Sequence, residues 1–95
     1  MTGTRRSSTG LDIRQRKLLF RSWHRGLREL DLVLGTFADA EVENLTEAEI
    51  GQYERLLDIP DTDLLACVMG ETPMPAEHNS PLFERILAFR RAMTF

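Results

Sequence analysis

At 95 residues, with 42% hydrophobic and 28% charged side chains and a formal net charge of −3, the chain has the size and composition of one soluble domain. Its single cysteine, Cys67, excludes an internal disulfide framework and, with no second thiol or histidine at ligand spacing, a zinc site; a reducing compartment is expected. No apolar run approaches the ~20 residues that span a bilayer, and the N-terminus has no apolar core of a secretory signal, so the expectation is a soluble protein that stays inside.

The opening MTGTRRSSTG is rich in Arg, Ser and Thr and free of acids. It reads as a disordered tail over 1–11 rather than the stub of an organellar transit peptide, leaving one domain over 12–95. Charge is segregated along the chain. Residues 1–28 hold eight of the twelve basic residues and one acid, whereas 29–84 hold fourteen of the fifteen acids and a single base, Arg55. Two readings follow: a field that orients docking onto a partner, or pairing of the basic and acidic segments within the fold.

Apolar residues recur at helical spacing and nowhere alternate with period two for long, which predicts an all-α, compact five-helix bundle. The first helix is expected from Asp12 to His24, with Leu19, Phe20, Trp23 and Leu27 as its inner stripe. Gly26 interrupts it, suited to the positive φ of a C-terminal cap. The second helix, Leu27 to Ala38, should be the most buried. The third begins at Thr46-Glu47-Ala48-Glu49, which has capping-box spacing, with Leu45 and Ile50 as a hydrophobic staple. Pro60 breaks the pattern, and Asp61 is expected to cap a short fourth helix over Thr62 to Met69 that Gly70 closes. After Pro73 and Pro75, Ser80-Pro81 opens the fifth. Trp23, Phe37, Tyr53, Phe83 and Phe89 are spaced like core residues.

Residues suited to catalysis are few. Cys67 sits among Leu64, Leu65 and Val68, where a thiol serves as a small apolar group. His24 and His78 have no carboxylate or thiol at a recognisable spacing. Asp61 and Asp63 are explained by a helix start, and the glycine and terminal glutamate of a calcium loop are missing, so no metal is expected. With no strand, no phosphate-cradling glycine turn can follow one. Nucleic-acid binding by a small helical or regulatory adaptor remains as the alternative, resting on the basic first helix but opposed by the acidic body. A small enzyme would require an exposed, reactive Cys67.

The segment Trp23-His24-Arg25-Gly26-Leu27-Arg28-Glu29 reads in two ways. It is a glycine-capped helix junction with solvated arginines, or a corner holding two guanidinium forks and a carboxylate outward to grasp a partner. Arg25 precedes Glu29, the weaker order for a helical ion pair, so the pattern gains little from local stability.

Arg25-Gly26-Leu27-Arg28-Glu29-Leu30-Asp31 follows a basic, aromatic-bearing helix. It precedes Leu34, Phe37, the capped Leu45-Thr46-x-x-Glu49, Tyr53-x-x-Leu56-Leu57 and Asp61-x-Asp63-Leu64. Over about residues 14 to 90 this combination resembles the succinate dehydrogenase assembly factor 2 family, the bacterial SdhE and mitochondrial Sdh5 FAD assembly factors. The resemblance implies a five-helix bundle, no enzyme itself, that promotes covalent attachment of FAD to the flavoprotein subunit of succinate dehydrogenase or fumarate reductase. The chemistry then belongs to the partner, where a histidine attacks the 8α-methyl carbon of FAD already bound there; this chain holds no cofactor stably. Arg25, Gly26 and Glu29 would form the partner-contacting motif, with Arg28, His24 and Asp31 beside it, on a protein monomeric when free and placed in the bacterial cytoplasm or mitochondrial matrix. Two positions depart from the family pattern: His24 stands where many members carry a second arginine, and Cys67 where many carry an aromatic residue, often tryptophan.

Overall fold

A computed structural model describes residues 10–93, so most of the expected tail lies outside the described residues. Five α-helices make up the fold: α1 (Ile13–Trp23), α2 (Arg28–Glu41), α3 (Glu47–Leu57), α4 (Asp61–Val68) and α5 (Pro81–Ala92), with 3-10 turns at Val42–Asn44 and Ala76–His78. The all-α expectation holds among the described residues. α2 lies at the centre, packed on α1, α4 and α5, while α3 closes against α1 and α5. It buries six residues, more than any other helix. Leu11, assigned from sequence to the tail, is buried in the same core.

Local chemistry sets most helix starts. Asp12 and Gln15 form a capping box on α1, and Thr46 and Glu49 form the expected one on α3. Ser80 accepts from the Phe83 amide with Pro81 in the first turn of α5. Two boundaries differ from expectation. α2 runs on to Glu41 and passes into the 3-10 turn, because Ala38 and Val42 are both buried and continue its inner face. α4 begins at Asp61, one residue early, with Pro60 in the cap position and no side-chain cap bond. The Asp61 carboxylate is engaged elsewhere, as described below.

The inner stripe of α1 also differs. Phe20, expected inside, is 64% exposed, and the buried residues are Leu18, Leu19, Ser22 and Trp23. Ser22 tolerates burial because its hydroxyl lies 2.7 Å from the Leu18 carbonyl and 2.6 Å from the Tyr53 hydroxyl. Tyr53 in turn reaches the Leu34 carbonyl at 3.2 Å, so two hydroxyls join α1, α2 and α3. Of the aromatic residues expected in the core, Trp23, Phe37, Tyr53 and Phe83 are buried, and Phe89 is half-buried with its ring edge-on to Phe37.

Trp23 brings α1 close against the backbone of α2. Its ring lies over Gly35 of α2, where a Cβ would stand only 2.3–2.6 Å from ring carbons, and its indole N–H donates to Asp39 at 3.2 Å. Gly35→Ala therefore drives a methyl group into a rigid ring although alanine is the better helix former. We expect the substitution to cost about 2–3 kcal/mol, read as a thermal midpoint lower by about 10 °C or more. The combination with Trp23→Leu should cost less than the sum of the two single changes.

Glu49 and Glu54 have carboxyl groups held below the ordinary range, Glu49 chiefly by the Thr46 backbone N–H and then by Arg85, Glu54 chiefly by Arg14. A depressed folded pKa contributes stability that is full above the unfolded value, 4.5 here, and is lost as pH falls through the folded value. The thermal midpoint should therefore fall as pH is lowered below about 5, and Glu54→Gln should flatten that fall.

Candidate functional site

The corner between α1 and α2 begins at His24, whose backbone N–H closes α1 on the Arg21 carbonyl. Gly26 then takes φ +93°, a left-handed conformation that admits glycine at little cost, and turns the chain into α2. A Cβ at Gly26 would meet nothing within 4 Å, so open space lies over the turn. The Arg25 backbone N–H donates to Asp31 Oδ1 at 2.8 Å, which ties the loop to the first turn of α2.

The Arg25 side chain corrects the reading of a projecting fork. It folds back under the corner, 11% exposed, and donates to the carbonyls of Leu57 and of Ile59, the latter at 2.8 Å. The same guanidinium lies 2.7 Å from Asp61 Oδ1. The physical reason is the end of α3, where the Leu57 carbonyl has no helical partner and carries the negative end of the helix dipole, with the Ile59 carbonyl following in the link to α4. Asp61 opens α4 a few residues later, and one planar cation serves both. That is why Asp61 is not a cap.

The remaining motif residues divide by exposure. Gly26, Arg28, Glu29 and His24 are exposed; Asp31 is half-buried behind them. Neither Arg28 nor Glu29 makes a side-chain hydrogen bond or ion pair with another described residue, and both stand in the opening turn of α2. A hollow bordered by Gly26, Arg28, Asp31 and Leu32 lies on one side of the turn. On the other, Phe20, Arg21, His24, Arg25 and Asp61 line a second. His24 stacks on Phe20 with ring centroids 4.0 Å apart and donates from Nδ1 to the Phe20 carbonyl at 2.7 Å, which fixes its tautomer when neutral.

Other sequence candidates lie elsewhere. Cys67 is buried with its sulfur 3.8 Å from the Pro73 carbonyl, and burial, with Asp63 adding to it, pushes the thiol above its ordinary pKa. A protonated, covered thiol is a weak nucleophile. His78 lies in the Ala76–His78 turn beside an apolar groove bordered by Ile59, Cys67 and Met74, and does not meet His24 there. No group of three or more potential metal ligands occurs among the described residues, and no helix among them is long and apolar enough to cross a membrane.

The family model described as "flavinator of succinate dehydrogenase" matches residues 16–90. The chain belongs to that family. Among its relatives is the FAD assembly factor SdhE of Acetobacter pasteurianus, 35% identical over 77 residues, which cover 81% of this chain and 71% of that one. Succinate dehydrogenase assembly factor 2, mitochondrial, of Mycosarcoma maydis is 38% identical over 71 residues, covering 75% and 30%. Its counterpart in Dictyostelium discoideum is 33% identical over 72 residues, covering 76% and 51%. The chain thus spans about half or less of these mitochondrial relatives. No solved structure matches it.

The geometry makes Arg25 a positioning residue first. Arg25→Ala strands two carbonyls and a carboxylate, and we expect a loss of about 2–3 kcal/mol, seen as a midpoint lower by about 10 °C or more. Arg25→Lys keeps the charge but not the planar fork and should recover less than half of that loss. Glu29→Ala, by contrast, should stay within about 0.5 kcal/mol of wild type.

Proposed function

We propose that this chain binds the immature flavoprotein subunit of a succinate dehydrogenase, or of a fumarate reductase, and promotes covalent attachment of FAD there without supplying a catalytic group. Membership of the flavinator family supports this reading. The observation that carries the site assignment is the corner itself: Gly26 leaves open space over the turn, and the side chains of Arg28 and Glu29 have no partner among the described residues. Arg25 and Asp31 hold that corner from behind, and His24 borders it.

In this reading the factor works by preference for one conformation of its client. A binder shifts a conformational equilibrium only by its differential affinity for the two states, so a preference of about 2–3 kcal/mol enriches the competent form by roughly 30- to 150-fold. Arg28 offers a guanidinium to client carboxylates or carbonyls, Glu29 a carboxylate to client cations, and Gly26 lets the client backbone approach. FAD stays with the client throughout. A free monomer in the bacterial cytoplasm or the mitochondrial matrix fits this role.

The nucleic-acid alternative loses much of its footing. Arg14, Arg21 and Arg25, three cations of the basic segment, are paired with Glu47, Glu54, Asp58 and Asp61 within the fold.

The test incubates apo-flavoprotein with FAD and this protein and measures flavin that stays attached after denaturation. Glu29→Lys and Gly26→Arg should lower the attachment rate about tenfold or more while the variants remain folded by circular dichroism. Equal rates for wild type and both variants would contradict the assignment of the corner, and no stimulation by wild type would contradict the function.

A further inference from the structure

The outer face of α1 carries a pattern that the corner does not account for. Ile13, Arg16, Lys17, Phe20 and His24 fall at i, i+3, i+4, i+7 and i+11, which places them on one face of the helix, opposite the buried side formed by Leu18, Leu19, Ser22 and Trp23. Ile13 and Phe20, 62% and 64% exposed, are the large hydrophobic residues left exposed among the described residues, and both lie on this face. The cations of α1 are sorted in the same way. Arg14 and Arg21, on one flank, are paired with α3 and its C-terminal cap residue Asp58. Arg16 and Lys17, on the outer face, make no ion pair with a described residue.

We infer that this face of α1 is a docking strip for an acidic protein surface with an apolar hollow, into which Phe20 inserts while Arg16 and Lys17 meet carboxylates on its rim. The inference rests on the proposed function, because the partner it names is the same flavoprotein client. Three observations carry it. Anchors at i, i+3, i+4 and i+7 are how one helix face lies in a groove on a partner. An aromatic ring flanked by cations that make no ion pair among the described residues is complementary to a negative rim around an apolar pocket, and residues 29–84, with fourteen acids against Arg55 alone, are strongly acidic, so the strip contrasts with that body. Finally, the strip is continuous with the corner: Phe20 stacks on His24, which leads directly into Arg25 and Gly26. From Ile13 to His24 it spans roughly 16 Å of helix, enough to extend a small corner contact along the client.

An anionic bilayer would also attract two cations and a phenyl ring, but the fourteen acids of residues 29–84 oppose approach of this chain to such a surface. A second copy offers carboxylates too, at Asp58, Asp63 and Glu77 around the apolar groove by Cys67. The observations favour the client, and the experiment separates the three.

Binding of wild type to the purified apo-flavoprotein subunit is measured by titration calorimetry at about 50 mM and about 300 mM salt. The comparison set is Phe20→Ser, the double variant Arg16→Glu/Lys17→Glu, and Arg55→Glu as a charge control on α3, where the side chain is exposed and has no partner among the described residues. We expect Phe20→Ser to weaken binding about tenfold with the salt dependence kept. The double variant should weaken it by a similar factor at low salt and flatten the salt dependence, and Arg55→Glu should stay within about twofold of wild type. Thermal midpoints near wild type for all variants show that the fold is intact. Wild-type binding undiminished in both strip variants overturns the strip and leaves the proposed function standing. Failure of wild type to bind overturns the function and the strip together. Undiminished client binding with strip-dependent sedimentation on phosphatidylserine vesicles assigns the face to a membrane, and with strip-dependent dimerisation in analytical ultracentrifugation to a second copy; both outcomes overturn the inference.

Discussion

The end of one helix and the start of the next meet under the α1–α2 corner, and the Arg25 guanidinium fills the space between them. The Leu57 carbonyl that ends α3 has no helical donor, the Ile59 carbonyl follows in the link, and Asp61 brings a carboxylate to the first turn of α4. A planar guanidinium satisfies two carbonyls and a carboxylate through its two terminal nitrogens while remaining charged in a nearly buried place. Its backbone is held as well, through the Asp31 carboxylate. Arg25 is thus held at both ends, and the glycine turn that follows is presented from that base.

The helix that delivers Arg25 is itself seated by two unusual contacts. Trp23 lies against the bare backbone of Gly35, which brings α1 and α2 closer than any side chain at that position would allow. One residue earlier, Ser22 enters a chain of hydroxyls with Tyr53. Three short contacts share two hydroxyl protons. Either Ser22 donates to Tyr53 and Tyr53 to the Leu34 carbonyl, or Tyr53 donates to Ser22 and Ser22 to the Leu18 carbonyl. Both patterns bind α1 to α3, and burial pushes the Tyr53 phenol well above its ordinary pKa, so it stays a neutral donor at physiological pH. Packing and polar satisfaction therefore agree on one orientation for α1, and that orientation turns Arg25 inward and Phe20 outward.

Charge segregation along the chain resolves in space into both of the arrangements that the sequence left open. Arg14 meets Glu54 and Glu47, Arg21 meets Asp58, Arg25 meets Asp61, and Arg85 on α5 meets Glu41 and Glu49 beneath the Phe37 ring. Apart from Arg25, these pairs are partly open to solvent and each contributes little to stability. Their larger effect is on what remains: cations that face α3 are matched, while Arg16, Lys17 and Arg28 are left facing outward. Internal pairing and an oriented external field are consequences of the same sorting.

Legibility followed the range of the interactions involved. The Thr46–Glu49 capping box, the Ser80 cap and the positive φ of Gly26 depend on a few neighbouring residues and were read correctly from them. Local sequence marks Asp61 as a cap because its true partner lies far back in the chain, and nothing local marks Arg25 as a residue that turns inward. Resemblance picked out the Arg25–Glu29 motif without saying which members hold the corner and which present it. Phe20, expected inside, lies outside while Ser22 lies inside for a sharper reason: hydrophobicity ranks them opposite to their burial. A hydroxyl with a carbonyl of its own helix and a tyrosine within reach loses little on leaving water, whereas the Phe20 ring stays largely in water with its stack on His24. That inversion cannot be seen until α3 is placed, and once it is placed, the exposed ring becomes a feature that the stability of this chain alone does not require.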